Sequence, residues 1–496
     1  MDAETAAADC ADRTRDGNLA EKRQNPMLSQ FIALYLMHLL PLNKMSINVV
    51  HMKKLLFFAG LLVSFMTATA QQAVLIRNVE IFNGVDEKTL QGNVLVENHL
   101  ISKVSGDPID VSALPDVTII DGQGLFLMPG LIDAHVHTMM ESMPLQQALV
   151  SEISYISLFA AHSAEKQLMR GFTTVRDMGG NPFALKRAID GGLAKGPRIY
   201  PSGAMISQTG GHGDFRMPTD VPPMLCGALT YMEYSGMAAI ADGHDEVLRK
   251  TREQLRKGAS QIKLAAGGGV SSDYDPLDVA QYTTEEFKAA VAAAENWETY
   301  VTVHAYTPKA IRTAIEAGVR CVEHGQLADA GIAKLMADRG VWWCLQVFLD
   351  DEDVTPFPEG SENRAKQIEM TRGTVTAYQL AKKYKVKTAW GSDCLFDARL
   401  AARQGAPLVK LTHWYTPYEV LKMATSTNAE LLALSGPRNP YPHKLGVIES
   451  GAYADLILVK GSPLENIHLI EDPGANFLLI MKDGVIYKNH VDRAAE

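Results

Sequence analysis

The chain has 496 residues, of which 47% are hydrophobic and 21% charged, a balance that excludes a disordered polymer and suits two or three domains. Lys and Arg number 47 against 57 Asp and Glu, giving a net charge of −10 without a basic tract, so the chain lacks the cationic footprint that grips nucleic acid. Five Cys in so long a chain exclude a disulfide-stapled miniprotein.

Met52-Lys53-Lys54, an apolar run over 55–66 and Ala68-Thr69-Ala70 follow the charged, apolar, small-residue order of a secretory signal peptide. The run is shorter than the ~20 residues that span a bilayer, so cleavage near Ala70 is expected rather than stable membrane insertion. The mature protein would start at Gln71 and be secreted or periplasmic. Residues 1–51 precede a complete signal (52–70) with its own Met52. They are expected to be an extension, disordered or not native, with no place in the fold. Export permits disulfides, but Cys321, Cys344 and Cys394 sit in apolar strand-like runs where free buried thiols are the expected state. The pairing of these three and of Cys226 is left open.

The mature chain opens with β-like runs at 73–82, 93–104 and 117–128, separated by turns such as Asn83-Gly84, the pattern of a small antiparallel sheet. From Leu131 the rhythm becomes βα, with eight apolar runs at 131–137, 172–177, 198–205, 261–265, 300–304, 320–324, 341–346 and 388–393. Eight such units predict an α/β fold built on a closed (β/α)8, TIM-like barrel over 131–440. Between them, 245–257 and 284–295 read as helices, the second capped by Thr283-Thr284 ahead of Glu285-Glu286. The insert at 208–244, rich in Gly, Pro and Met, is too irregular for a barrel helix and is expected to shape the site. After 441 the β rhythm returns at 455–460 and 477–487, the latter turning at Lys482-Asp483-Gly484. These strands are expected to join the first ones in one small β domain, 71–130 plus 441–496.

The chemistry-bearing residues fall at the ends of the barrel runs. His135 and His137 are two apart, so in a strand they face one side. Lys263 lies inside the fourth run, His304 and His324 end the fifth and sixth, and Asp393 ends the eighth. A buried Lys or Asp costs several kcal/mol unless paired or metal-bound, so this set points to a metal site at the face where such barrels build active sites. In Thr209-Gly210-Gly211-His212-Gly213-Asp214, glycines let the backbone approach a ligand; His212 is read as a donor to a developing oxyanion and Asp214 as the group orienting it. Tyr306 points to the side of His304 and is read as a donor to a substrate carboxylate, whereas Arg216 is read as a solvated surface residue. Met139, Met140, Met143 and Met217 suggest an adaptable apolar pocket. Gly267-Gly268-Gly269 lacks the Lys-Ser/Thr of a phosphate loop and is read as room beside the metals. His162, His244, His413 and His443 are assigned to helices or linkers and His99 to the small sheet.

The run from Met128-Pro129-Gly130 to His135-Val136-His137, with Lys263, His304, His324 and Gly391-Ser392-Asp393, is closed by Leu445-Gly446-Val447-Ile448, Gly451 and Ala454-Asp455-Leu456. In this order the set resembles the amidohydrolase superfamily of metal-dependent barrel hydrolases, over nearly all of the mature chain. The resemblance implies a β-sandwich-like domain made by both chain ends. It places His135, His137 and Asp393 on one divalent ion and His304 and His324 on a second, bridged by Lys263 after carboxylation to a carbamate by CO2. An unmodified ammonium has no lone pair to offer two cations. Mixed N and O ligands suit Zn2+, with Mn2+, Co2+ and Fe2+ left open. A bridging water would become hydroxide near neutral pH, with Asp393 taking its proton and passing it to the leaving amine.

The Gly-Gly-His-Gly-Asp segment with His304-Ala305-Tyr306 is similar to the imidazolonepropionase-related branch, which includes Xaa-Pro and Xaa-Arg/Lys dipeptidases and amidases of N-acyl amino acids such as ochratoxin. That likeness implies a small amide or dipeptide as the substrate, and leaves room for a homo-oligomer. A cyclic-amide hydrolase of the imidazolonepropionase or dihydropyrimidinase kind would keep the same metals, but its intracellular catabolism fits poorly with a signal peptide. A non-enzymatic binding barrel would hold no stoichiometric metal.

Overall fold

The computed structural model describes residues 73–217, 219–220 and 229–491. The extension, the signal-like segment and Cys226 lie outside these residues. Among them, no helix is long and apolar enough to cross a membrane.

Both chain ends enter one eight-stranded mixed sheet. Its order is Val485–Asn489, Phe477–Lys482, Leu456–Val459, Phe126–Pro129, Ala73–Ile81, Leu90–Glu97 and Leu100–Ser105, with Val117–Asp121 also paired to Ala73–Ile81. Val74 and Ile76, and beyond the register shift that follows them Val79 and Ile81, are buried in one core with Leu127, Leu456 and Leu458. Each such side chain contributes roughly 1.5–3 kcal/mol by leaving water. Ala73–Ile81 pairs along both of its edges and so joins the two sets of strands in this continuous sheet. The run expected at 93–104 is a hairpin that turns at Asn98, whose φ is 57°, which leaves His99 at the turn. The run at 117–128 likewise breaks, between Val117–Asp121 and Phe126–Pro129.

The βα region forms two parallel sheets. One has seven strands in the order Ala238–Ile240, Met205–Ser207, Ile262–Ala265, Val301–Ala305, Cys321–His324, Trp342–Leu345 and Thr388–Trp390; the other has three, Leu131–Val136, Phe172–Asp177 and Arg198–Pro201. The expected strand at 198–205 is therefore split, its halves entering different sheets on either side of Gly203, whose φ is 75°. A closed eight-stranded ladder is not formed, since backbone pairing lapses at two seams and side-chain amides bridge them. At one, Gln261 Nε2 donates to Asp177 O at 3.1 Å and Tyr200 O at 2.8 Å. At the other, Asn428 Nδ2 donates to Ile132 O and Trp390 O, each at 2.8 Å, and Asp393 N donates to His135 O at 2.8 Å.

The helix expected at 284–295 is present as Thr284–Glu295, and its Thr283–Glu286 capping box is formed. The insert expected to be irregular contains a second capping box, Thr230–Glu233, on the helix Tyr231–Ser235. It also contributes Ala238–Ile240, which pairs parallel to Met205–Ser207. Three residues are too short a run for alternation to be read.

Candidate metal centre

Parallel pairing puts His304 opposite Ala265 and Glu323, His324 one residue further along opposite Ala305, and Lys263 two residues below His304 opposite Thr302. His135, His137, His212, Lys263, His304, Tyr306, His324 and Asp393 all line one cavity of about 810 Å³. The eight residues singled out from sequence are thus brought together.

His135 Nε2 and His137 Nε2 each lie 3.4 Å from Asp393 Oδ1, and His324 Nδ1 lies 3.8 Å from Asp393 Oδ2. The His135 and His324 ring centroids are 4.9 Å apart, and those of His304 and His324 are 4.6 Å apart. Gly391 permits this approach: a Cβ there would stand 2.4 Å from the Cβ of His135. His324 and Asp393 hold φ of 70° and 50°, left-handed conformations that cost non-glycine residues about 1–2 kcal/mol each. His324 ends the strand Cys321–His324, and Asp393 lies three residues beyond the strand Thr388–Trp390.

The donor set fits a cation. Glu323 Oε2 stands 2.8 Å from His135 Nδ1, so that nitrogen carries the proton and Nε2 presents a lone pair. Facing it is an acceptor, Asp393 Oδ1, and both atoms are buried without a hydrogen-bond partner. Two acceptors aimed at each other across 3.4 Å repel unless a positive ion lies between or beside them. Burial pushes the His135 pKa down to about 4, aided by the charge of Lys263. Burial also holds His304 and His324 well below the usual histidine range. Neutral imidazole is the form that ligates metal. Lys263 is about 1% exposed, and burial lowers its pKa against the opposing pull of Glu323 and Asp393.

Two supporting carboxylates were not singled out from sequence. Glu323 is fully buried and accepts from Arg176 Nη2 at 2.7 and 2.8 Å, while Arg176 Nε donates to Ala134 O at 2.6 Å. The signal was an acid inside the apolar run Cys321-Val322-Glu323-His324, overlooked beside its histidine. Asp133 accepts from His135 N at 3.0 Å, Ser392 N at 2.9 Å and Gln404 Nε2 at 2.8 Å. It ties the strand Leu131–Val136 to the segment that carries Asp393.

At the edge of the centre, the His212 ring stacks on His304 at 4.0 Å with an interplanar angle of 24°. Asp214 does not orient it. That carboxylate turns back on its own loop, accepting from Arg216 Nε at 2.6 Å and Gly210 N at 2.7 Å, because a guanidinium two residues away is within easier reach. Arg216 is accordingly held and half-buried rather than solvated. Instead, Ser272 Oγ lies 2.7 Å from His212 Nδ1 and Asp275 Oδ2 lies 3.6 Å from it. Tyr306 packs edge-on to His304 at 4.9 Å and lies 5.4 Å from His324. Of the four methionines expected at the pocket only Met140 lines it; Met139 and Met143 belong to the core and Met217 is 62% exposed. Met205, Met232, Met237 and Phe215 supply the apolar wall. Cys321, Cys344 and Cys394 are buried free thiols.

Residues 126–488 match the model of the Amidohydrolase family. Ochratoxinase of Aspergillus niger is 32% identical over 377 residues, 73% of this chain and 75% of that protein. A crystal structure of an amidohydrolase is 36% identical with a TM-score of 0.76, covering 84% of this chain and 99% of the other. A prolidase complexed with N-methylphosphonate-L-proline is 33% identical with a TM-score of 0.77, covering 84% and 100%. The chain belongs to the amidohydrolase family, as a hydrolase of amide and peptide C–N bonds.

Proposed function

We propose that the protein cleaves the amide bond of a dipeptide or N-acyl amino acid, using two divalent ions, Zn2+ by ligand type. The observation that carries this is the buried, partnerless pair His135 Nε2 and Asp393 Oδ1, set in a ring of neutral imidazoles. The ochratoxinase and prolidase relatives support the substrate class. His135, His137 and Asp393 would hold one ion, and His304 and His324 the other. Lys263 would join both as a carbamate. Its lowered pKa favours the free amine, whose nitrogen lone pair attacks the carbon of CO2 and then releases a proton.

Bound divalent ions lower the pKa of an attacking water and polarise the scissile carbonyl. Asp393 accepts the proton of that water and delivers it to the leaving amine nitrogen. His212 and Tyr306 meet the substrate at the cavity wall, and Phe215 with the Met205, Met232 and Met237 side chains excludes water around an apolar acyl group. The two parallel sheets then act as arcs of one (β/α)8 barrel, 131–440, carried beside a small β domain made from both chain ends. Residues 52–70 act as a cleaved signal, so the enzyme works outside the cytoplasm. Screening zinc-reconstituted protein against a library of dipeptides and N-acyl amino acids tests the proposal. Release of free amino acid is expected, and no release from any member would remove it.

A further inference from the structure

Behind His212 stand two residues that the hydrolytic scheme above does not use. Ser272 Oγ is 2.7 Å and Asp275 Oδ2 3.6 Å from His212 Nδ1. Asp275 is about 1% exposed; its Oδ2 accepts from Gly269 N at 2.6 Å, while Oδ1 is buried without a partner. Burial works against its charge, but donation from His212 and Ser272 overcomes this and holds the carboxyl below its usual range. The loop is anchored from the long helix Glu362–Tyr384, where Lys366 Nζ donates to Ser272 O at 2.9 Å and Asp275 O at 3.0 Å. Gly269 lies so close under the imidazole that a Cβ there would stand 2.0 Å from Nδ1, and the ring also stacks on His304.

A neutral imidazole has one proton to place. A buried carboxylate beside Nδ1 draws it to that nitrogen, with Ser272 Oγ accepting from Nδ1 and donating onward to Asp275. Nε2, which makes no hydrogen bond among the described residues, is left with a lone pair on a side chain that lines the cavity. The geometry points to Asp275 and Ser272 as positioning residues that fix His212 as a hydrogen-bond acceptor toward the substrate or its water, in place of the oxyanion donor suggested by sequence. The role toward a substrate rests on the amide-hydrolase reading above; the tautomer does not.

Protein labelled with 15N-histidine, with His212→Gln to assign the signals, reports the tautomer through two-bond couplings at mildly alkaline pH. The expected result is Nδ1–H at His212 in the wild type, lost to a mixture in Asp275→Asn and in Ser272→Ala, with unchanged metal content. On any amide the zinc-loaded enzyme turns over, Asp275→Asn lowers kcat about 10- to 100-fold while KM stays within about threefold. Added to His212→Gln it has no further effect, because the residues act as one unit. Asp273→Asn, an exposed neighbour, changes neither readout. Ser272→Ala supplies the same measurements should Asp275→Asn fail to fold. An Nε2–H tautomer in the wild type, or kinetic losses that simply add, overturns the inference. If the wild type hydrolyses no amide, the hydrolase reading fails while the tautomer measurement still decides the placement of the proton.

Discussion

His135 Nε2 and Asp393 Oδ1 stand 3.4 Å apart, each buried and each without a hydrogen-bond donor. Replacing the carboxylate by an amide turns this contact from repulsive to attractive, because the amide NH2 donates to the imidazole lone pair. Asp393→Asn is therefore expected to stabilise the metal-free protein by about 1 kcal/mol. The same change should lower zinc retention at least about tenfold. Thermal unfolding with and without chelator, alongside elemental analysis, checks both signs; a destabilised apo variant with full metal content would contradict them.

Lys263 gives a chemical prediction. If its amine must first capture CO2, metal uptake by stripped protein depends on bicarbonate, and Lys263→Met abolishes that dependence along with activity. Zinc binding followed in degassed buffer and then in bicarbonate distinguishes the cases. Equal uptake by the wild type in both buffers would show that the lysine acts unmodified.

Glu323 and Arg176 form a fully buried ion pair with a bond of 2.7 Å. Glu323→Gln leaves the guanidinium charge uncompensated, which in such settings costs about 3–5 kcal/mol. The double variant Arg176→Met, Glu323→Gln should recover part of this, since no lone charge remains. Urea denaturation of the wild type, Glu323→Gln, Arg176→Met and the double variant measures the difference, and additive losses would deny the coupling.

Asp177, buried against Thr138 N at 2.8 Å, supplies a pH dependence. Burial pushes its carboxyl up to about 6 despite donation from Thr138, whereas an unfolded Asp titrates near about 3.9. The folded state therefore holds this proton more tightly. The stability it contributes is fully present below about pH 4 and is lost as pH rises through about 6, a change on the order of 3 kcal/mol. In metal-free protein, Asp177→Asn should flatten that part of the stability profile. Parallel profiles for wild type and variant would refute the assignment.

The centre was legible in sequence because strand ends advertise themselves: a His, Lys or Asp terminating an apolar run has few structural excuses. His137, His304, His324 and Asp393 stand out on that ground, His135 by its two-residue spacing from His137 and Lys263 as a charge inside an apolar run, and all six line one cavity. Asp275 was hidden, since its partner lies 63 positions earlier by number, 275 − 212, and only the folded loop brings them together. Asp214 misled for the opposite reason, since proximity in sequence favoured it while Arg216 captured it in space. The division of the barrel region into two sheets was likewise invisible. Its seams depend on Gln261 and Asn428, buried polar residues whose bonds to backbone carbonyls are made across the fold.

The most direct measurement is anomalous diffraction at the zinc edge on crystals of the mature protein grown with zinc and bicarbonate. Two peaks are predicted, one touching His135, His137 and Asp393 and one touching His304 and His324, with extra density bridging them from Lys263. A featureless map at the cavity, with the lysine bare and the imidazoles bonded only to protein, would contradict the account.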